Sequence, residues 1–338
     1  LLYRELNNVL RGLKDVGIQV IALKGAALAE TVYPTRALRP MSDVDLLIRK
    51  EELPRVEDKL IGMGYLVDED KKAWFKEYYF NLDFSKNEAP SIKINLDIHW
   101  DIHPPSGSIK IDIDGMWERA LTVKIANSEA MVLSPEDLLL HLCHHASCSH
   151  ILTGGLRPLC DIYETVQYYN GTIDWEQVQT RSFQWRINKY VHIILCLAKE
   201  LLGAAVPDAA VEALQPDHFD ARLLGWAREK IVADRERSHI SSNIVHFWRA
   251  RRLKEKLAVS RQIFSPEVIA RNYSVPPTSN KLYFYYLVRL KDLFIQYGPL
   301  MARLFCRDER LTALVEREHR LDEWLAPSRS ETCGLPGR

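Results

Sequence analysis

Hydrophobic and polar residues alternate in two stretches of the first 130 residues, with the period of two that is typical of β-strands. The first stretch is "DVDLLIR" at 43–49, and the second is "SIKINLDIHW" at 91–100. The second is preceded by another strand-like segment at 74–84. Two long strands joined by a short turn predict an antiparallel pair.

Helical patterns separate these strands. The opening residues 1–17 and the segments 24–33 and 50–64 carry apolar residues at helical spacing, and a short apolar strand is expected at 18–23. The helix at 50–64 is expected to end on Gly62 and Gly64. Strands and helices mix here without regular alternation. The sequence therefore predicts an α+β fold with a mixed or antiparallel sheet, not a doubly wound one.

From Ser134 the pattern becomes helical and stays so to about residue 325. Ser134 stands at a helix cap, Pro135 at the first helical position, and acidic residues follow in the first turn. We therefore expect an α+β head at 1–130, an all-helical region at 131–325 that closes the cleft of the head, and a disordered tail at 326–338.

The charge balance excludes one class of partner. Lys+Arg and Asp+Glu each number 45 in 338 residues, so no bulk binding to nucleic acid is expected, because such binding depends on phosphate neutralisation. The chain contains no run of about 18 apolar residues, so no membrane span is expected. The six cysteines lack C-x-x-C spacing and are typical of reduced thiols, which predicts a cytoplasmic protein.

The candidate chemistry lies in three aspartates. Asp43 and Asp45 share one face of their strand, and Asp97 lies on a later strand. Clustered carboxylates are ligands for Mg²⁺ or Mn²⁺, and two such ions support phosphoryl chemistry. Upstream, Lys24 and Gly25 stand where a strand turns into a helix, a place where free amides and a lysine attract phosphate. The alternative for Asp43 and Asp45 is a solvated strand face.

These motifs resemble the polymerase-β type of nucleotidyltransferase. More narrowly, "ALKGAAL", "RPMSDVDLLI" and "NLDIHW", with a later segment "FSPEVIARNY" at 264–273, resemble the bacterial group known as uncharacterised nucleotidyltransferases. The wider superfamily usually carries Gly-Ser or Gly-Gly at the phosphate turn, whereas this chain has Lys24-Gly25-Ala26-Ala27. Without a hydroxyl there, phosphate contacts must come from amides and Lys24.

The resemblance implies a catalytic head and a defined reaction. A nucleoside monophosphate would pass from an NTP, with ATP favoured, to a hydroxyl or phosphate acceptor, and pyrophosphate would be released. By that resemblance Asp43 and Asp45 bridge two metal ions, Mg²⁺ or Mn²⁺. Asp97 holds the catalytic ion and helps to deprotonate the acceptor.

Further residues are candidates around this centre. Arg39 is expected to clamp the triphosphate or to neutralise Asp43. His99 shares a strand face with Asp97 and either contacts nucleotide or hydrogen-bonds within the sheet. By the resemblance, the helical segment that follows the head packs against it through "RPLCDI" at 157–162. His145, Arg157 and Asp161 of this segment are therefore candidates to line the cleft.

Two other motifs are weaker candidates for a metal site. The segment "IKIDIDGMW" repeats the D-x-D pattern at Asp112 and Asp114 without an upstream Lys-Gly turn, which favours a solvated edge strand or turn. The segment 141–150 collects histidines and cysteines. Zinc sites need three or four convergent ligands, so packing or supporting roles are favoured over a zinc site there.

Two alternative functions stay open. One is a non-catalytic nucleotide-binding or antitoxin-like partner with the same fold, and the other is a phosphotransferase that uses the same metal site. The absence of G-x-x-x-x-G-K-[ST] and H-R-D motifs disfavours the phosphotransferase. The acceptor could be a small molecule, a peptide or a protein.

Overall fold

The structure is a computed structural model that describes most of the chain. The described residues are 1–67, 72, 80–89, 92–104, 108–149, 152, 155–232, 263–273, 282–306 and 308–325. The predicted tail at 326–338 and residues 74–79 of the predicted strand lie outside them.

A seven-stranded mixed sheet forms the head, as predicted, with the order β3-β4-β5-β2-β1-β7-β6. The β2–β5 and β1–β7 pairs are parallel, and the other neighbours are antiparallel. The strands are β1 Ile21–Ala22, β2 Val44–Leu47, β3 Leu66–Val67, β4 Asn81–Ala89, β5 Ile92–His99, β6 Leu121–Ile125 and β7 Ser128–Val132. The strand expected at 18–23 is therefore only two residues long.

Helices follow the strands of the head and then continue beyond the sheet. They are α1 Leu2–Asp15, α2 Lys24–Thr31, α3 Leu53–Gly62, α4 Ile113–Arg119, α5 Pro135–His144, α6 Arg157–Tyr168, α7 Trp175–Gln184, α8 Asn188–Leu202 and α9 Asp208–Ala213. The apolar side chains of α1 and α3 pack in one core against one face of the central strands, which presents Val44 and Leu46 of β2 and Ile94, Leu96 and Ile98 of β5. All four residues of β2 are buried, which takes Asp45 out of solvent.

The glycines predicted to end the third helix do so through a defined motif. After Gly62, Gly64 adopts φ +86° and donates its N–H to the carbonyl of Ile61, and Tyr65 donates to Leu60. These paired bonds form a Schellman cap, which needs the left-handed conformation that glycine adopts most easily.

A hairpin of β6 and β7 was not predicted. Its two-residue loop, Ala126 and Asn127, has φ values of +48° and +70°, which is typical of a type I′ turn. Alternation of apolar and polar positions through 121–132 was the available signal.

The prediction for Asp112 and Asp114 was wrong about local structure. These residues lie at the start of α4, where Asp112 caps the helix by accepting from the N–H of Gly115. Capping by a carboxylate at a helix start is favourable, and it explains why the segment is neither an edge strand nor a turn. Both aspartates are exposed.

The chain divides into two compact units. The first contains residues 1–220, so α5 to α9 belong to the same unit as the sheet. The domain boundary predicted at 130 falls inside β7. The second, residues 221–326, is helical in its described parts, as the predicted helical C-terminal region requires. Its helices are α10 Arg222–Val232, α11 Pro266–Tyr273, α12 Leu282–Phe305 and α13 Glu309–Leu325.

Among the described helices, none is both long enough and apolar enough to cross a membrane. The five described cysteines are free thiols, and Cys333 lies outside the described residues.

Candidate metal centre and phosphate turn

Strand register brings two of the predicted aspartates together. Asp45 on β2 is the Cα partner of Asp97 on the parallel neighbour β5. His99 follows Asp97 by two residues and therefore shares its face. One ligand atom from each of Asp45, Asp97 and His99 lies within 4.8 Å of the others.

His99 bridges the two carboxylates. Its Nε2 lies 3.1 Å from Asp45 Oδ1 and 3.1 Å from Asp97 Oδ2. Burial by itself would lower the pKa of His99, but the two carboxylates raise it to about 9. The imidazole is therefore cationic at neutral pH and holds the acids together through charge.

Lys24 adds a second positive charge at the same place. Its Nζ lies 2.6 Å from Asp45 Oδ1, and both side chains are largely buried. Burial would raise the pKa of Asp45, but the charge of Lys24 and the contact with His99 hold it far below its usual range. The pKa of Asp97 is also lowered, since its contact with His99 outweighs burial. Both carboxylates are therefore ionised, which is the charge state that a metal ligand requires.

The predicted Lys-Gly turn begins α2. Lys24 has φ +44°, a backbone conformation that residues with a side chain rarely adopt, and the next residue is Gly25. A Cβ on Gly25 would lie 3.0 Å from Met41 Cβ and 3.4 Å from Arg39 Nη1. Strained backbone is found most often at functional sites. The close packing around Gly25 explains why a residue without a side chain stands there.

Arg39 pairs with Asp161, and not with Asp43. Its Nε and Nη2 donate to the two carboxylate oxygens of Asp161 at 2.6 and 2.8 Å. Tyr33 Oη donates to Asp161 Oδ1 at 2.8 Å. The contact joins the loop before β2 to α6, as the expected packing of that helix against the head requires. A role of Arg39 toward nucleotide stays a prediction.

The remaining predicted residues have other surroundings. Asp43 is exposed just before β2, 3.3 Å from the hydroxyl of Ser42, and is not part of the three-residue cluster. His145 stacks on His141 with ring centroids 6.1 Å apart, and Arg157 is exposed at the start of α6. Metal bridging by Asp43 and cleft lining by His145 and Arg157 stay predictions.

Two polar residues of β4 join the centre and were not predicted. Asn81 donates to Asp97 Oδ1 at 2.6 Å, and Asp83 is the Cα partner of Asp97 across the β4–β5 pair. Burial and the charge of Asp97 raise the pKa of Asp83 to about 6. The signal was the polar pair N-x-D in a predicted strand, but its relevance depends on the pairing register.

The histidines of α5 belong to no group of three potential metal ligands among the described residues. His144 Nε2 lies 3.1 Å from His103 Nδ1, and both ring nitrogens of the buried His141 lack hydrogen-bond partners among the described residues. The one three-ligand group found in the described chain is the cluster of Asp45, Asp97 and His99. His150 lies outside the described residues.

Comparison with known proteins places the chain in a family. Residues 1–203 match the family model described as uncharacterised nucleotidyltransferase, whereas the segment 264–273 lies beyond the match. Among solved structures, the chain is similar to an antigenic nucleotidyltransferase-like protein from Paracoccidioides brasiliensis. The identity is 14%, with 63% of this chain and 92% of that chain covered. The TM-score of 0.33 is too low to support any argument about the site. None of the curated proteins matches the chain. Since the family model covers more than half of the 338 residues, the chain belongs to the uncharacterised nucleotidyltransferase family.

Proposed function

We propose that this chain is a metal-dependent nucleotidyltransferase. It transfers a nucleoside monophosphate, with AMP from ATP as the first choice, to a hydroxyl or phosphate group of an acceptor, and it releases pyrophosphate. The observation that carries the proposal is the convergence of Asp45, Asp97 and His99 within 4.8 Å, beside Lys24, in a member of this family.

The donor set fits a divalent cation. Asp45 and Asp97 offer ionised oxygens, and two buried cations, Lys24 and protonated His99, balance their charge. Carboxylates suit both Mg²⁺ and Mn²⁺. His99 would become a ligand only by giving up its proton to solvent when the ion binds, and its imidazole would then suit Mn²⁺ better than Mg²⁺. When bound, such ions neutralise phosphate charge and activate the attacking oxygen.

Each residue of the site has its own role in the proposed reaction. Asp45 and Asp97 would hold the metal, and Asp43, exposed just before β2, is the candidate for a second ion. Lys24 and the amides that begin α2 face the phosphates, where positive charge and N–H donors stabilise anionic oxygens. Asn81 orients the Asp97 carboxylate through its hydrogen bond.

Substitution of the two buried acids tests the proposal. Asp45→Asn and Asp97→Asn should each lower transfer of labelled NMP into acceptors of a cell extract by at least about 100-fold, while the fold survives. Asp114→Asn is the matched control, because Asp114 belongs to a second D-x-D motif that is exposed on α4.

The products separate the alternatives. Pyrophosphate release with a labelled acceptor supports nucleotidyl transfer, whereas an NDP product would indicate a phosphotransferase. NTP binding without any product, across all NTPs and extracts, would indicate a non-catalytic nucleotide-binding partner. Wild-type transfer rates in the Asp45→Asn chain would contradict the assignment of the site.

A further inference from the structure

Arg39 lies directly over the turn that begins α2. Its Nη1 would be 3.4 Å, and its Cζ 3.8 Å, from a Cβ built on Gly25. The same Nη1 donates to the carbonyl of Pro40 at 2.9 Å. The guanidinium is therefore beside the turn where the proposed function puts the phosphates.

The orientation of this guanidinium is set from α6, far away in the sequence. Asp161 accepts from Nε and Nη2 in the bidentate geometry that fixes the plane of an arginine. The side chains of Arg39 and Asp161 are only 11% and 5% exposed. Such burial strengthens the pair and leaves the guanidinium little freedom to turn.

Asp161 is itself held in place. Tyr33, two residues after the end of α2, donates its hydroxyl to Asp161 Oδ1, and Thr165 Oγ1 donates to the backbone carbonyl of Asp161. The chain Tyr33–Asp161–Arg39 therefore starts and ends in the segment between α2 and β2, with the helix residue at its centre.

Arg39 keeps donors for a ligand. A guanidinium has five N–H groups, and three of them donate to Asp161 and Pro40. The other two have no partner among the described residues. Because Nη1 is the nitrogen beside Gly25, a free donor lies next to the phosphate turn.

We propose that Asp161, supported by Tyr33, is a positioning residue for the nucleotide. It holds the Arg39 guanidinium over Gly25 so that the free N–H groups of Arg39, with Lys24 and the turn amides, bind the triphosphate. This inference rests on the proposed function, since it names how that site recognises the phosphates of its NTP.

The test compares phosphate binding with metal binding in the full chain. Asp161→Asn keeps the size of the side chain but replaces one acceptor by a donor that faces the guanidinium. Its affinity for inorganic tripolyphosphate, measured by calorimetry, should fall on the order of 10-fold, because charge-assisted hydrogen bonds are lost. The stabilisation of the chain by Mn²⁺ alone should stay unchanged.

Three further variants make the result specific. Asp161→Glu retains a carboxylate and should restore part of the tripolyphosphate affinity, and Tyr33→Phe should lower it in the same direction by less. Arg119→Gln is the control: Arg119 pairs with Asp137 at 2.8 Å and makes no contact with the turn among the described residues. It should leave the affinity for tripolyphosphate unchanged.

The outcomes separate this inference from the proposed function. If wild type binds tripolyphosphate and Asp161→Asn and Tyr33→Phe bind it equally well, the positioning role is overturned and the proposed function stands. If Asp161→Asn does not fold, Tyr33→Phe decides: weaker tripolyphosphate binding supports the role and unchanged binding overturns it. A wild-type chain that binds neither tripolyphosphate nor any NTP overturns both.

If transfer occurs, the KM for NTP should rise in Asp161→Asn with kcat retained.

Discussion

At the scale of single residues, His99 is the side chain that would decide which ion the proposed centre prefers. Carboxylates suit both Mg²⁺ and Mn²⁺. One ring nitrogen of His99 lies within 4.8 Å of an oxygen of each acid, so loss of the His99 proton on metal binding would make it a third ligand. Imidazole is a better ligand for Mn²⁺ than for Mg²⁺. His99 therefore distinguishes this centre from one built on three aspartates.

We expect Mn²⁺ to raise the melting temperature of the metal-free chain more than Mg²⁺ does at equal concentration. An ion that binds only the folded state stabilises that state by an amount that grows with the logarithm of the ion concentration divided by its Kd. In His99→Gln the stabilisation by Mn²⁺ should fall toward that by Mg²⁺, as measured by thermal unfolding. Asp114→Asn should behave as wild type. Equal shifts by both ions in wild type would show that His99 is not a ligand.

At the scale of elements, the end of α3 gives a matched pair of glycines. Gly62 is the last residue of the helix, and a Cβ there would meet nothing within 4 Å; Gly64 has φ +86°. Gly62→Ala should raise the free energy of unfolding by roughly 0.5–1 kcal/mol. Gly64→Ala should lower it by roughly 1 kcal/mol, because alanine is strained in the left-handed region.

Urea unfolding of the two variants checks this pair. If Gly64→Ala raised the free energy of unfolding, the Schellman cap would be contradicted, because alanine would then carry no penalty from the left-handed backbone angle. Both glycines lie in the first compact unit, so the same unfolding transition reports on both.

The helix α5 makes folding sensitive to acid. Burial lowers the pKa of His144 to about 3 from an ordinary value of 6.5, and the charge of His103 adds to the effect. Below about pH 6.5 the unfolded chain takes up a proton at His144 that the folded chain does not. Stability should therefore fall as the pH drops, by about 2 kcal/mol from this group between about pH 7 and pH 5.

His144→Asn should remove this part of the pH dependence of the free energy of unfolding. The exposed His218, which has φ +58°, gives the control: His218→Asn keeps a residue that tolerates this angle and should leave the slope unchanged. An identical slope in wild type and His144→Asn would mean that the buried imidazole is protonated in the folded chain.

At the scale of the whole molecule, residues 1–220 form one compact unit that contains the entire sheet and the cluster of Asp45, Asp97 and His99. A fragment of residues 1–220 should unfold cooperatively and keep the stabilisation by Mn²⁺. A fragment of residues 1–130 should not fold, because it cuts β7 and removes the strand beside β1. Circular dichroism and thermal unfolding compare the two. A folded 1–130 fragment would support the domain boundary that the sequence predicts.

The sequence by itself determined much of the local structure. Alternating apolar residues determined the strands at 43–49 and 91–100, a cap and proline determined the start of α5, and glycines determined the end of α3. These signals are local, because they arise from side chains within one or two turns of the same element. The Lys-Gly turn and the D-x-D and D-x-H patterns also identified the family and the candidate residues.

Only the tertiary structure decided which candidates meet. The register of β2 against β5 brings Asp45 to Asp97 and His99 and leaves Asp43 exposed at the strand entrance. Pairing of β4 adds Asn81 and Asp83, and the packing of α6 gives Arg39 to Asp161, 122 residues away. Strand register and helix packing depend on the burial of surfaces that are distant in the chain, so no local pattern contains them.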